Sequence, residues 1–136
     1  MKKYNNKGFT LVELMITLAI ISILTALAVN LYEQQSRKQR RSDGIIALTT
    51  AQGEMERDRS DNGVYAATGL STIGSPKGYY TVSVAITNAG ENYTLTATAG
   101  GVQLPDTKCR QLIVNDLAQY SSKDSGGNPS TNCIPK

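Results

Sequence analysis

The chain has 136 residues, a formal net charge of +3, no His, no Trp and two Cys, a length that suits one domain. Cys109 and Cys133 alone cannot assemble a zinc-type ligand set, and no metal or other cofactor is expected; without an imidazole or a Gly-rich phosphate loop, no enzyme is visible either. The net charge is no sign of a nucleic-acid binder, since Lys2, Lys3 and Lys7 supply all of it and the bases and acids from Asp61 onward balance.

The first element is the apolar run from Leu14 to Tyr32, interrupted only by Thr17, Ser22, Thr25 and Asn30, which is long enough to cross a bilayer as a helix. Glu13 stands at its head, where a carboxylate in hydrocarbon costs roughly 2.5–3.5 kcal/mol on insertion scales unless something pairs with it. Two plainer readings compete. The run can be the core of a secretory signal cleaved after Ala26-Leu27-Ala28, or a simple anchor with Glu13 leaning toward the headgroups.

Lys7-Gly8-Phe9-Thr10-Leu11-Val12-Glu13-Leu14 resembles the class III leader of type IV pilins. The resemblance implies cleavage by a prepilin peptidase between Gly8 and Phe9 and N-methylation of Phe9. It also implies a filament in which Glu13 pairs with the Phe9 amine of an adjacent subunit. Elementary chemistry agrees with each part. Gly8 leaves the scissile backbone open to close approach, and the new α-amine, with an ordinary pKa of about 7.7–8.0, is largely cationic at neutral pH. Phe9 and Glu13, four apart, share a face if both are helical. The expected organisation is a leader over 1–8, a transmembrane and assembly segment over 9–35, and a globular head over 36–136. Leader lysines favour a cytoplasmic N-terminus, although Arg37, Lys38, Arg40 and Arg41 flank the other end as densely. That second cluster reads as the solvated start of an exported helix or a contact for anionic headgroups.

Helical spacing continues through Ile45, Leu48, Gln52 and Met55, with Gly44 as a weak or bent point, until Asp61-Asn62-Gly63 ends the helix. A helix from about Phe9 to Arg59 is roughly 75 Å long, so its outer half is expected to lie against the head. Val64 to Gly78, with Gly69, Gly74 and Pro76, reads as a connector. Tyr80, Val82, Val84 and Ile86 then alternate with polar or small residues, as do Tyr93, Leu95 and Ala97 after the Asn88-Ala89-Gly90 turn, which makes a hairpin. Val102 to Leu104 reads as a short extension and Leu112-Ile113-Val114 as a third strand. Tyr79, Tyr80, Tyr93 and Tyr120 are expected to be half-buried sheet residues.

A second stretch, Tyr93 to Ala97 followed by Gln103, Asp106, Cys109, Leu112 and Asn115, is similar to the tail of minor pilins of the PilE type. The implied fold is α+β: a long N-terminal helix, apolar in its first half, on three or four antiparallel strands with a disulfide-closed C-terminal loop. Beyond the membrane a Cys109–Cys133 disulfide can persist, and so small a head needs such a staple. The implied function is that of a pilus subunit, a minor pilin, serving assembly, adhesion, twitching motility or DNA uptake. A type II secretion pseudopilin and a DNA-receptor pilin are the alternatives. Implied partners are other pilin subunits, the prepilin peptidase, an inner-membrane assembly platform and the membrane itself before assembly. The implied location is the inner membrane with a periplasmic head, then an extracellular filament. Any DNA contact falls to Lys108, Arg110 and Lys123, a patch too small for tight binding by the isolated head.

Overall fold

A computed structural model describes residues 8–66 and 73–134. The leader residues 1–7, Gly69 of the connector and Lys136 lie outside the described residues. Contacts divide the chain into two compact units, one ending at Gln35 and one starting at Ser36.

The first unit is the early part of helix α1, which spans Leu11–Asn62. Every large apolar side chain from Phe9 to Tyr32 is exposed. Its polar residues are self-sufficient. Thr17 Oγ1 donates to the Leu14 carbonyl, Ser22 Oγ to that of Ala19, and Thr25 Oγ1 to that of Ile21, each at 2.8 Å, while Asn30 Nδ2 reaches the Ala26 carbonyl at 3.5 Å. Hydroxyls returned to their own helix need no water, which is what a hydrocarbon surrounding demands.

The second unit is an antiparallel meander packed on the later part of α1. Its strands are β1 (Ile73–Gly74), β2 (Tyr80–Thr87), β3 (Asn92–Ala99), β4 (Gln111–Asn115) and β5 (Tyr120–Lys123), in sequential order. The register sets Val82 opposite Ala97, Leu95 opposite Val114 and Ala97 opposite Leu112. Because side chains alternate across a strand, Tyr80, Val82, Tyr93, Leu95, Ala97, Leu112 and Val114 fall on one side and are buried with Ala47, Leu48, Ala51 and Met55 of α1. Of the tyrosines expected to be half-buried, Tyr80 and Tyr93 are fully buried, Tyr79 is intermediate and Tyr120 is 39% exposed.

Among the described residues five strands form where three or four were expected. β1 is two residues long inside the connector, and β5 arises from a Ser-rich tail without apolar alternation. Edge strands need only one hydrogen-bonded neighbour, so they leave a weak mark on sequence. The segment around Val102 is not an extension but a 3-10 turn, Gly101–Gln103.

Gly44 does not break the helix. A Cβ there would lie 2.9 Å from the Tyr80 ring and 3.0 Å from Leu112 Cδ1, so the missing side chain is what lets α1 approach the sheet. The buried stripe therefore runs Gly44, Ala47, Leu48, Ala51, Met55, leaving Ile45 only partly buried and Ile46 54% exposed. Gly90 has a similar duty at the β2–β3 turn. At φ +94° it sits with its ideal Cβ position 2.9 Å from Val64 Cβ, and its carbonyl accepts the Tyr65 N–H at 2.8 Å, pinning the turn to the chain leaving α1. That chain leaves after Asn62, where the Gly63 N–H donates to the Arg59 carbonyl at 2.8 Å, near the expected stop.

Candidate functional site

Two groups of residues can carry function, one at the start of α1 and one at the loop end of the head. At the start, Thr10 and Glu13 cap each other. The Glu13 carboxylate accepts the Thr10 N–H at 2.9 Å and the Thr10 hydroxyl at 3.0 Å, and the Glu13 N–H donates to Thr10 Oγ1 at 3.2 Å. This is a reciprocal capping box, which satisfies N–H groups that a helix start otherwise leaves bare. It also sets the helix start at Leu11, so Phe9 lies just outside the helix, 87% exposed, rather than on a shared face with Glu13. Gly8 precedes it, exposed and with nothing near its Cβ position. The Thr-x-x-Glu pattern was present in the sequence as a capping signal.

In the head, the segment between β3 and β4 is held by an inward polar cluster. Arg41 makes a two-pronged ion pair with Asp106, Nε to Oδ2 at 2.8 Å and an Nη to Oδ1 at 2.9 Å. Gln103 Nε2 reaches Asp106 Oδ2 at 2.9 Å, the Arg37 carbonyl at 3.1 Å and the Tyr80 hydroxyl at 3.3 Å. Bidentate geometry and shared acceptors make such a cluster rigid. Burial pushes the Tyr80 phenol up to about 12, against the opposing pull of the Gln103 hydrogen bond. Burial is likewise the main cause that lifts Tyr93 to about 12; its hydroxyl and that of Tyr65 both donate to Glu56 Oε1.

The basic cluster is thus not simply a solvated helix start. Arg37 donates to the Pro105 carbonyl, Arg40 to the Val102 carbonyl while lying over the Tyr79 ring, and Arg41 additionally to the Asn132 carbonyl. Cys109 and Cys133 are joined in a disulfide with their Cα atoms 5.5 Å apart, tying the tail to the same loop. Lys108 and Arg110 flank Cys109, and Lys123 pairs with Gln111 across β4 and β5, so the three expected cations share one end of the sheet. A cleft of about 420 Å³ is lined by Thr107, Lys108, Asp124, Ser125, Pro129, Ser130 and Thr131, with Lys108 as its only cation. Asp124 is held below the usual carboxylate range by the Asn128 N–H first, with further amide donors around its turn.

Comparison with known proteins places these features in a family. A family model described as "Type IV minor pilin ComP, DNA uptake sequence receptor" matches residues 31–113, more than half of the chain. The chain belongs to the type IV pilins. The pilin also matches the prokaryotic N-terminal methylation motif over residues 3–29. Among curated relatives, fimbrial protein EcpC of Eikenella corrodens is 37% identical over 102 residues, covering 72% of this pilin and 65% of EcpC. The type IV major pilin protein PilE of Neisseria gonorrhoeae is 31% identical over 96 residues, covering 68% and 55%. The pilin therefore spans less than two thirds of either relative. A solved type IV pilin from Shewanella oneidensis aligns with a TM-score of 0.54 at 26% identity, covering 74% of this chain and 99% of that one.

Proposed function

We propose that this pilin is a minor structural subunit of a type IV pilus. Prepilin peptidase cuts between Gly8 and Phe9, Phe9 is N-methylated, and the apolar half of α1 holds the subunit in the inner membrane with its N-terminus cytoplasmic. Assembly then moves that half from lipid into the filament, where Glu13 meets a neighbour's Phe9 amine. The observation that carries this reading is the exposed apolar surface from Phe9 to Tyr32 with one carboxylate at its head, in a chain that also bears the methylation motif. Such a surface is stable only in lipid or against other helices. The family is one of structural subunits, and no reaction is assigned to the chain. Mass spectrometry of the mature N-terminus and recovery in sheared filaments test the proposal. A methylated Phe9 start and loss of Glu13→Ala from filaments at unchanged membrane level are expected; a start at Val29 sinks it.

A second reading is favoured by the family model, which is named for a DNA uptake sequence receptor. On it, the head binds duplex DNA through Lys108, Arg110 and Lys123. With about three phosphates neutralised, affinity falls roughly fortyfold between 50 and 200 mM salt. Submicromolar binding of a short duplex at low salt that weakens on this scale, and is lost in Lys108→Ala or Arg110→Ala, selects the receptor reading. Its absence leaves the structural one.

A further inference from the structure

The loop after β3 has its polarity reversed. Gln103 and Asp106 are turned inward, 0% and 4% exposed, while Val102 and Leu104 are turned outward, 61% and 47% exposed, with Pro105 exposed beside them. An ordinary surface loop does the opposite. The reversal is fixed in place, because the inward side chains are bonded to Arg41, the Arg37 carbonyl and Tyr80, and the disulfide at Cys109 anchors the following turn. The loop also lies against the entry of the chain into the head, since Arg37 and Arg40 donate to the Pro105 and Val102 carbonyls. In sequence that entry comes directly after the apolar run that ends at Tyr32.

We infer that the Gly101–Asp106 loop is a membrane-surface contact, with Val102 and Leu104 entering the boundary between headgroups and acyl chains. The occupant is an anionic lipid leaflet rather than a second protein. Two locked apolar side chains on a loop whose carbonyls hold Arg37 and Arg40 suit that boundary. Arg40's partners, a carbonyl and a tyrosine ring, are neutral and leave its charge for a phosphate. Lys38 and Lys108 are exposed close by in the chain, and juxtamembrane cations of this kind attract anionic headgroups. At the far end of the sheet Leu117, although 70% exposed, sits in the β4–β5 turn beside Asp116, a turn that itself holds no Lys or Arg, although the Asp116 charge reaches Arg59. The inference rests on the membrane reading of α1 and adds a place where the unassembled head rests on the bilayer.

The absence of Trp makes the test direct. V102W, L117W and L24W are made singly in the full chain and reconstituted at high dilution into vesicles of brominated phosphatidylcholine, with and without phosphatidylglycerol. L24W, inside the apolar run, should be quenched in both. V102W should be blue-shifted and quenched about twofold more with phosphatidylglycerol than without, a difference reduced by K38Q, and L117W should stay unquenched. If V102W does not form its disulfide, L104W replaces it. Quenched L24W with V102W no more quenched than L117W overturns this inference alone; unquenched L24W overturns the membrane reading as well. A blue shift without quenching, lost on dilution, assigns the loop to a second copy and also overturns the proposal.

Discussion

The two parts of α1 solve opposite problems with the same backbone. Before Gln35 the large side chains point outward and the polar ones bond within a turn of themselves; after Ser36 the stripe facing the sheet is Gly44, Ala47, Leu48, Ala51 and Met55, and polar groups find partners more than sixty residues away. The first part is locally complete yet needs lipid or neighbours to cover it. The second is a folded core that depends on distant chain. Substitutions should therefore separate the two, those after Ser36 moving stability and those before it moving location or assembly.

The largest separation should come from Arg41→Ala. It leaves the Asp106 carboxylate buried without its cation, a loss on the order of 3–5 kcal/mol, read as a lower denaturation midpoint of the head with membrane insertion unchanged. Cys109→Ser should follow. Opening a loop with a sequence separation of 24 removes about 3 kcal/mol in the chain-entropy model, visible as loss of soluble head in an oxidising compartment. Equal yields of wild type and variant would contradict it.

Next is Gly44→Val. Its branched carbon must displace the Tyr80 ring or Leu112, which costs about 1–3 kcal/mol by overpacking, whereas Gly53→Ala, with open space at its Cβ position, should be neutral or slightly stabilising through helix propensity. Equal melting shifts for the two would remove the close-approach account of Gly44.

The pH dependence is milder. Tyr80 and Tyr93 have folded pKa values raised to about 12 from an unfolded value near 10. The folded state then holds protons that the unfolded state releases, so this contribution is whole below pH ~10 and is lost as pH rises toward ~12. A chemical-denaturation midpoint that falls over that window, and falls less in Tyr93→Phe, is the expected result. Smallest of all for the head is Thr10→Val. It removes one half of the capping box, about 1 kcal/mol of local helix-start stability, with no change in head melting; fraying confined to the first turn, seen by amide exchange, is its signature.

Much of this was legible in the sequence. The apolar run, the hairpin with its alternating Tyr80 to Ile86 and Tyr93 to Ala97, and the paired cysteines follow from local periodicity and residue type. Gly44 was not, because a helical glycine means either a weak point or a close approach, and only the ring of Tyr80 decides between them. The cluster Arg37, Lys38, Arg40 and Arg41 suggests a solvated helix start or a headgroup contact from sequence alone, because charge carries no mark of the carboxylate sixty-five positions beyond Arg41 or of the carbonyls that Arg37 and Arg40 reach. β5 was missed because an edge strand can be built from serines once a neighbour supplies the hydrogen bonds. The Thr10 cap is legible as Thr-x-x-Glu, but a carboxylate beside an apolar run fits a distant cation as well as a near amide, and only the bonds between Thr10 and Glu13 decide for the near one.

The inward-bonded hydroxyls of Thr17, Ser22 and Thr25 bear on how subunits mix. A helix whose polar side chains are already committed to its own carbonyls offers neighbours a nearly featureless hydrocarbon rod, and van der Waals packing alone discriminates little between one such rod and another. In the filament proposed above, axial position along a bundle of them would fall to the carboxylate at Glu13. On that proposal a subunit of this kind would be interchangeable at the centre of a filament and individual only at its head, so one polymer could accept several different heads without redesigning its spine.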